Sequence, residues 1–367
     1  MRKTPPTIIA QQTAHPGRAA LSNRESRFQA NRVLWDEGLE TTRPATECRP
    51  VRARSIISRN TSPDVPFYQS INPYQGCEHG CIYCYARPTH AYLDLSPGID
   101  FETRLVRKTN AAELLARELL QPGYQCHGIT IGANTDAYQP VEKTYELTRR
   151  VLEVLHKAQH PVSIITKSSL VTRDIDILSD MARQGLASVA VSVTTLNPDL
   201  KRRLEPRAPS GQSRLNTVAE LASHGIPVHV LFAPVIPGIN DEELESVVSA
   251  AADHGAQAAS YILLRLPLEV RQLFMEWLAY HYPLRASHVM SLLRQCRGGR
   301  ENDPRFGKRM RGEGVFADLL STRFKAACKR HAMTDLERGQ ERTDLFDPGA
   351  IAHLADQEVS AQGRLFD

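Results

Sequence analysis

Along the middle of the chain, short apolar runs take turns with stretches whose apolar residues fall at helical spacing. The runs are GITIGAN (128–134), PVSIITKS (161–168), ASVAVSVTT (187–195), PVHVLFAPVIPG (227–238) and AASYILLRLP (258–267). Each reads as a strand. Between them lie VEKTYELTRRVLEVLHKA (141–158), TRDIDILSDMARQG (172–185), SRLNTVAELASHG (213–225) and DEELESVVSAAADHG (241–255). These read as helices, and the last three stop on glycine, which accepts the left-handed backbone of a helix end. Strand and helix in strict alternation predict right-handed βαβ units and a parallel sheet. With SINPYQG (70–76) as the first strand, about six units follow. That is fewer than the eight of a closed barrel, so a partial barrel or an open doubly wound sheet is expected.

The pattern changes at both ends. Residues 1–60 are polar, basic and without sustained periodicity, and are expected to be a largely irregular leader, with a short helix near ESRFQANRVLWDEG. Residues 61–267 hold the alternating elements. After Pro267 the spacing is helical only, in EVRQLFMEWLAYHY, RASHVMSLLRQC and VFADLLSTRFKAACKRH, which predicts a helical extension over 268–333. Residues 334–367 form an acidic, weakly patterned tail.

Composition narrows the class. The chain has 367 residues, 41% hydrophobic and 23% charged, with a formal net charge of +4. These values suit a globular protein and leave nucleic-acid binding open. No run of apolar residues is long enough to span a bilayer, and the N-terminus lacks the apolar core of a secretory signal. Seven cysteines, an odd number, with no export signal point to a reducing cytoplasm rather than a disulfide framework.

Three of those cysteines, Cys77, Cys81 and Cys84, crowd into CEHGCIYC in the spacing C-x3-C-x2-C. Three thiolates can hold three irons of a four-iron cluster and leave the fourth iron open. A zinc site completed by His79 or His90, or three unrelated buried cysteines, are the alternatives on spacing alone. Because the segment directly follows the first expected strand, it falls at the carboxyl end of the sheet, where parallel α/β folds carry their chemistry. Cys48, Cys126, Cys296 and Cys328 have no ligand spacing and read as small apolar residues.

With aromatic Tyr83 before its third cysteine, the segment resembles the signature of the radical S-adenosylmethionine (SAM) superfamily, C-x3-C-x-aromatic-C. The resemblance covers roughly residues 70–265 and implies a partial (β/α)6 barrel. It also implies a [4Fe–4S] cluster on Cys77, Cys81 and Cys84. SAM would chelate the open iron and be cleaved reductively to a 5′-deoxyadenosyl radical, and an electron-donor protein such as flavodoxin or ferredoxin would be the partner. Tyr83 would border the adenine, and Thr135, Asp136, Lys167, Ser192 and Ile236 at the strand ends would contact SAM, with Glu205 and Arg207 nearby.

INPYQGCEHGCIYCYARPTH, DAYQPVE, ITKS and APVIPGIND further resemble the branch grouped with spore photoproduct lyase and DNA repair photolyase-like proteins. That lyase returns a hydrogen from a cysteine near the end of the second strand. The window Gly132–Pro140 holds no cysteine, and a tyrosine such as Tyr138 would have to serve in its place, which nothing in the sequence shows. The branch implies nucleic acid, DNA in particular, as the substrate. RNA, protein or a small metabolite are alternatives within the superfamily, and a zinc-stabilised, non-catalytic nucleic-acid-binding protein is the alternative outside it. Arginine-rich stretches at 49–59 and 294–314 suit phosphate contacts. The terminal AQGRLFD, with Gln362, Leu365 and Phe366, resembles peptides that dock on the bacterial sliding clamp, and ERTDLFDP is a weaker copy around Leu345 and Phe346.

Overall fold

A computed structural model describes residues 17–24, 27–28, 45–334 and 342–354. Ten strands are present among them: β1 Glu47–Val51, β2 Ile57–Arg59, β3 Gln69–Ile71, β4 Tyr74–Gln75, β5 Arg104–Lys108, β6 Ile129–Ile131, β7 Val162–Thr166, β8 Ala187–Ser192, β9 Val228–Val235 and β10 Ala258–Leu263. The principal sheet runs β10-β9-β8-β7-β6-β3-β2. Its six strands from β10 to β3 are all parallel, and β2 adds antiparallel to β3. This is the six-stranded partial barrel expected from the alternation, and its sheet does not close. A second sheet, β1-β5-β4, lies beside it.

The helices are α1 Asp100–Thr103, α2 Ala111–Leu119, α3 Glu142–Tyr145, α4 Leu147–Lys157, α5 Ile175–Arg183, α6 Pro198–Leu204, α7 Gly211–Ser223, α8 Leu244–Asp253, α9 Glu269–His281, α10 Ala286–Gln295 and α11 Val315–Arg330. Helices α5, α7 and α8 end before Gly185, Gly225 and Gly255, each at positive φ, as their sequence stops predict. The helix expected across 141–158 is broken at Glu146, which takes φ 50°. The break follows from Glu142, whose carboxylate accepts the backbone N–H of Thr148 at 3.0 Å and so caps a new helix start.

Strand alternation separates two faces. Outward residues such as Val189, Val191, Val230, Phe232 and Tyr261 are buried under the helices. Inward residues are mostly half-buried and several are small: Ser163 on β7, Ser188 and Ala190 on β8, Ser260 on β10, interspersed with Ile165, Leu231 and Ile262. The concave face is therefore an open, partly polar groove rather than a filled core, unlike the packed interior of a closed barrel.

Part of the leader is ordered strand. β1 pairs parallel with β5, and β2 with β3. Neither has an apolar pattern of its own: they are edge strands held by a neighbour's backbone, so periodicity cannot reveal them. Residues 17–24 cross the cysteine segment, where Ala19 and Ala20 are buried. Apart from Arg27 and Phe28, which form a turn, the stretch ESRFQANRVLWDEG lies outside the described residues, as do the clamp-like residues Gln362, Leu365 and Phe366. The weaker copy packs on its own domain: Phe346 lies 5.6 Å from Tyr124 and 5.2 Å from His160, ring to ring. Among the described residues, no helix is long and apolar enough to cross a membrane.

One position tests how tightly the barrel is closed at its active end. Gly132, just after β6, has φ +83°, and a Cβ there would stand 2.3 Å from the carbonyl oxygen of Ile165 on β7. Gly132→Ala is expected to lower unfolding free energy by roughly 2–3 kcal/mol through strain and backbone displacement, read as the urea midpoint. An unchanged midpoint would show that this crossing relaxes freely.

Candidate active site

The loop from Gly76 to Cys84 leaves β4 at the carboxyl end of the parallel strands. Cys77 and Cys81 are buried and Cys84 is half-buried. Two glycines shape it: Gly76 has φ +77° and Gly80 φ +67°. A Cβ on Gly80 would lie 2.7 Å from Oε2 of Glu102, so the loop needs glycine there for space as well as conformation.

The loop is held by one fully buried guanidinium. Arg87 donates Nε to the carbonyl of Cys81 (2.9 Å) and Nη2 to the carbonyl of Gly80 (3.1 Å). Its Nη1 reaches the carbonyls of Pro97 (3.0 Å) and Gly98 (2.8 Å). The charge is met by Glu102, 2.5 Å from Nη2 and equally buried. Glu102 in turn accepts the N–H groups of Ala19 and Ala20, at 3.2 and 3.1 Å, so leader and loop share one carboxylate. Every Arg87 nitrogen is thus satisfied in geometry that only a planar fork supplies.

A second buried network stands under Tyr83. The Tyr83 hydroxyl donates to Glu205 and lies 3.1 Å from the hydroxyl of Thr194. Glu205, fully buried, also accepts from Thr194 Oγ1 at 2.7 Å and pairs with Arg214, whose Nη1 donates to the Ser192 carbonyl at 2.9 Å. Burial pushes the Glu205 carboxyl up, but Arg214 and Lys167, with these hydrogen bonds, outweigh it and hold it at about 2. Asp136 behaves alike. Burial opposes its charge, yet His79, 3.3 Å away, the Lys167 N–H and the Thr166 hydroxyl bring it to about 2.

The expected residues therefore divide by what they touch. Lys167 places its ammonium 5.9 Å from the centroid of the Tyr83 ring and has no ion-pair partner among the described residues. Ile236 is buried in one apolar cluster with Cys81, Ile82 and Tyr83. Ser192 ends β8 beside the Arg214–Glu205 pair. Thr135 spends its hydroxyl on the Tyr74 carbonyl at 2.8 Å. Arg207 is paired with Glu78 at 2.7 Å. Tyr138 is turned away from the loop: its hydroxyl donates to Asp174 at 2.9 Å, within the core beneath the helices. It does not present a hydrogen at the barrel mouth. Arg87, Glu102, Thr194 and Arg214 carry much of this arrangement and bear no motif, because their partners are distant in sequence.

The donor set suits an iron–sulfur cluster. Three soft thiols share one loop, and burial raises each, Cys81 to about 12, while Lys167 pulls Cys81 and Cys84 back toward the thiolate. The two candidate fourth ligands for zinc are engaged elsewhere. His90 bonds the Arg104 carbonyl through Nε2 at 2.9 Å, and His79 faces Asp136. Among the described residues, no three His, Cys, Asp or Glu side chains are gathered closely enough to hold a single metal ion.

Comparison with known proteins agrees. The family model described as the radical SAM superfamily matches residues 71–251. The chain belongs to the radical SAM superfamily. An uncharacterized protein of Mycobacterium tuberculosis is 39% identical over 233 residues, 63% of this chain and 68% of that protein. A protein of Pseudomonas phage M6 named radical SAM Nalpha-GlyT isomerase is 26% identical over 206 residues, 56% of this chain and 38% of that one. Among solved structures, spore photoproduct lyase complexed with dinucleoside spore photoproduct superimposes with a TM-score of 0.57 at 14% identity, over 80% of this chain and 82% of that one. At that identity the likeness is one of fold. A further structure of that lyase, with bound AdoMet, gives a TM-score of 0.56 over 79% of this chain. Radical SAM proteins use a [4Fe–4S] cluster and SAM, and the three thiols of the Cys77–Cys84 loop are the candidates to hold the former.

Arg87→Lys keeps the charge but loses the fork, so iron bound per chain after anaerobic reconstitution should fall several-fold. Arg87→Met leaves Glu102 uncompensated and should cost about 3–5 kcal/mol of stability. Full iron loading by both variants would remove the assigned role. Asp136 and Glu205 have depressed folded-state pKa values, so their stabilisation is complete above the unfolded carboxylate value near 4 and is lost as pH falls toward about 2. Urea midpoints measured from pH 7 to pH 3 should drop less steeply in Glu205→Gln than in the unsubstituted protein.

Proposed function

We propose that this chain is a cytoplasmic radical SAM enzyme acting on nucleic acid, with DNA as the substrate class. The observation that carries this reading is a pair of cations on the two tyrosines flanking Cys84. Lys167 stands over Tyr83, and Arg265, two residues past β10, stands 5.8 Å over Tyr85. Neither has an ion-pair partner among the described residues, and Arg265 also keeps a buried Nε without a hydrogen-bond acceptor. Cations left unpaired at a barrel mouth are suited to anions that arrive with cofactor and substrate.

In this reading Cys77, Cys81 and Cys84 hold the cluster, which when bound supplies the electron that opens the sulfonium of SAM. The electron comes from an external one-electron donor, for which a flavodoxin or ferredoxin is suited. Lys167 neutralises the SAM carboxylate. Tyr83 and Ile236, packed in one apolar cluster, flank the adenine, and Ser192 borders the ribose side. Asp136 and Glu205 act by positioning, since their carboxylates are committed to internal bonds. Arg265 meets a substrate phosphate. The half-buried small residues of the concave face leave room for a bulky group to enter. The solved lyase of the same fold is complexed with a dinucleoside photoproduct, which supports the substrate class. The hydrogen donor of thymine-dimer reversal has no counterpart in Gly132–Pro140, so the reaction is assigned as hydrogen abstraction from nucleic acid without naming the lesion.

The deciding experiment supplies deuterium-labelled damaged oligonucleotides to the reduced, reconstituted protein and reads label in 5′-deoxyadenosine. Label transfer is expected; SAM cleavage that never acquires label from any DNA would overturn the substrate class. Lys167→Met should weaken SAM binding about tenfold or more in equilibrium dialysis, with Lys167→Arg recovering part of it.

A further inference from the structure

The extension beyond the barrel carries the chain's charge. Residues 294–314 contain seven Lys or Arg against three Asp or Glu, a net +4 equal to that of the whole chain. The structure fixes this segment at the carboxyl end of β10. Arg297, fully buried, donates to four carbonyls: Leu263 (3.1 Å) and Leu264 (2.7 Å) at the strand end, and Lys308 (3.0 Å) and Arg309 (2.8 Å) in the segment. Leu263 N–H donates to the Met310 carbonyl at 2.8 Å, and Leu266 N–H to Asn302 Oδ1 at 3.2 Å. From the other side Asp64 accepts the Gly307 N–H at 2.7 Å and Arg309 Nε at 2.6 Å. A loop held from two directions is rigid without being buried.

What it presents is an aromatic among cations. Phe306 is 57% exposed, and Arg309 lies 4.6 Å from its ring centroid. Arg305 and Lys308 are answered by Asp303 and Glu313, Arg309 by Asp64, and Arg311 lies 4.1 Å over the ring of the buried Tyr261, which leaves Arg300 exposed and without an ion-pair partner among the described residues. Arg265, over Tyr85 beside the cysteine loop, touches the same segment through Met310 Sδ at 3.7 Å. Arg265 beside the cysteine loop and Arg300 on the fixed loop with its exposed ring therefore offer two guanidinium groups to an incoming anion. Basic grooves with interleaved aromatics are how proteins hold single strands: charge tracks the backbone, and a ring stacks on a base.

We propose that the Arg300–Arg311 segment is the DNA-holding surface of this enzyme, with Phe306 stacking on a base of the strand whose reacting nucleotide enters the barrel past Arg265. This rests on the nucleic-acid reading above and adds where the strand lies outside the site. An exposed phenylalanine would otherwise be a liability on a highly charged loop, and its anchoring through Arg297 and Asp64 would hold no ligand in place.

The test is fluorescence anisotropy of the reconstituted full chain with a labelled single-stranded DNA oligonucleotide across a salt series. Phe306→Ala should weaken binding about five- to tenfold and leave the salt slope unchanged, because stacking releases no counterions. Arg300→Gln should flatten the slope by about 0.7, the value for one phosphate of a single strand. Arg183→Gln, on the distant helix α5, should bind as the unsubstituted protein does. SAM cleavage without DNA should be unaltered in Phe306→Ala, which separates lost contact from lost fold. If either Phe306→Ala or Arg300→Gln binds like Arg183→Gln, the proposal is overturned while the nucleic-acid reading stands. If the unsubstituted protein binds no DNA, the reading falls and the proposal with it.

Discussion

The site depends first on the ion pair between Arg87 and Glu102, both without solvent exposure. Nine residues of loop containing three cysteines and two left-handed glycines have little secondary structure of their own. Their carbonyls would be costly to bury unpaired. Arg87 takes two of those carbonyls directly, and two more from the following turn. A neutral donor could not reach four acceptors, and a lone cation could not be buried. Glu102 makes the burial tolerable and, by accepting Ala19 and Ala20, turns the leader into a cover for the loop. Loop geometry, leader path and solvent exclusion thus share one cause.

The Glu205–Arg214 pair repeats this logic one layer further into the barrel. It supports Tyr83 from below, as Arg87 supports Cys81 from the side. Both pairs sit where the chain could have used apolar packing at less risk. What apolar packing cannot do is fix direction. A hydroxyl held by Glu205 and Thr194 sets the plane of the Tyr83 ring, and that ring is the platform for Lys167. The cost of burying polar groups is therefore concentrated at the carboxyl end of the strands, while the outer face of the same strands is mostly apolar.

The sequence was most legible where physics is local. Alternation of strand and helix needs only neighbouring residues to be seen, so β6 to β10 and their helices fell where the spacing put them. The cysteine loop was legible because its ligand spacing is short. The helix break at Glu146 was not, since its cause is the reach of Glu142 to Thr148, and β1 was not, since its pairing is with β5 across more than fifty residues of chain. Arg87 and Glu102 were equally silent: each is an ordinary charged residue until the fold brings them together. Tyr138 shows the limit of position alone: it lies in the right stretch of chain, and its side chain points into the core.

Such a division has a consequence for specificity. The matched family region ends at residue 251, before β10, Arg265 and the Arg297-anchored segment. The three loop cysteines and the buried pairs that brace their loop and Tyr83 lie within the shared barrel. The Arg265 guanidinium over Tyr85 and the basic segment lie beyond it. Generation of a radical asks for the same geometry whatever the substrate, so its machinery can be common to a superfamily. Choice of substrate asks for a surface that no common motif describes. In this chain that surface would be built after the barrel is complete and fastened back to the end of β10 by the carbonyl contacts of Arg297.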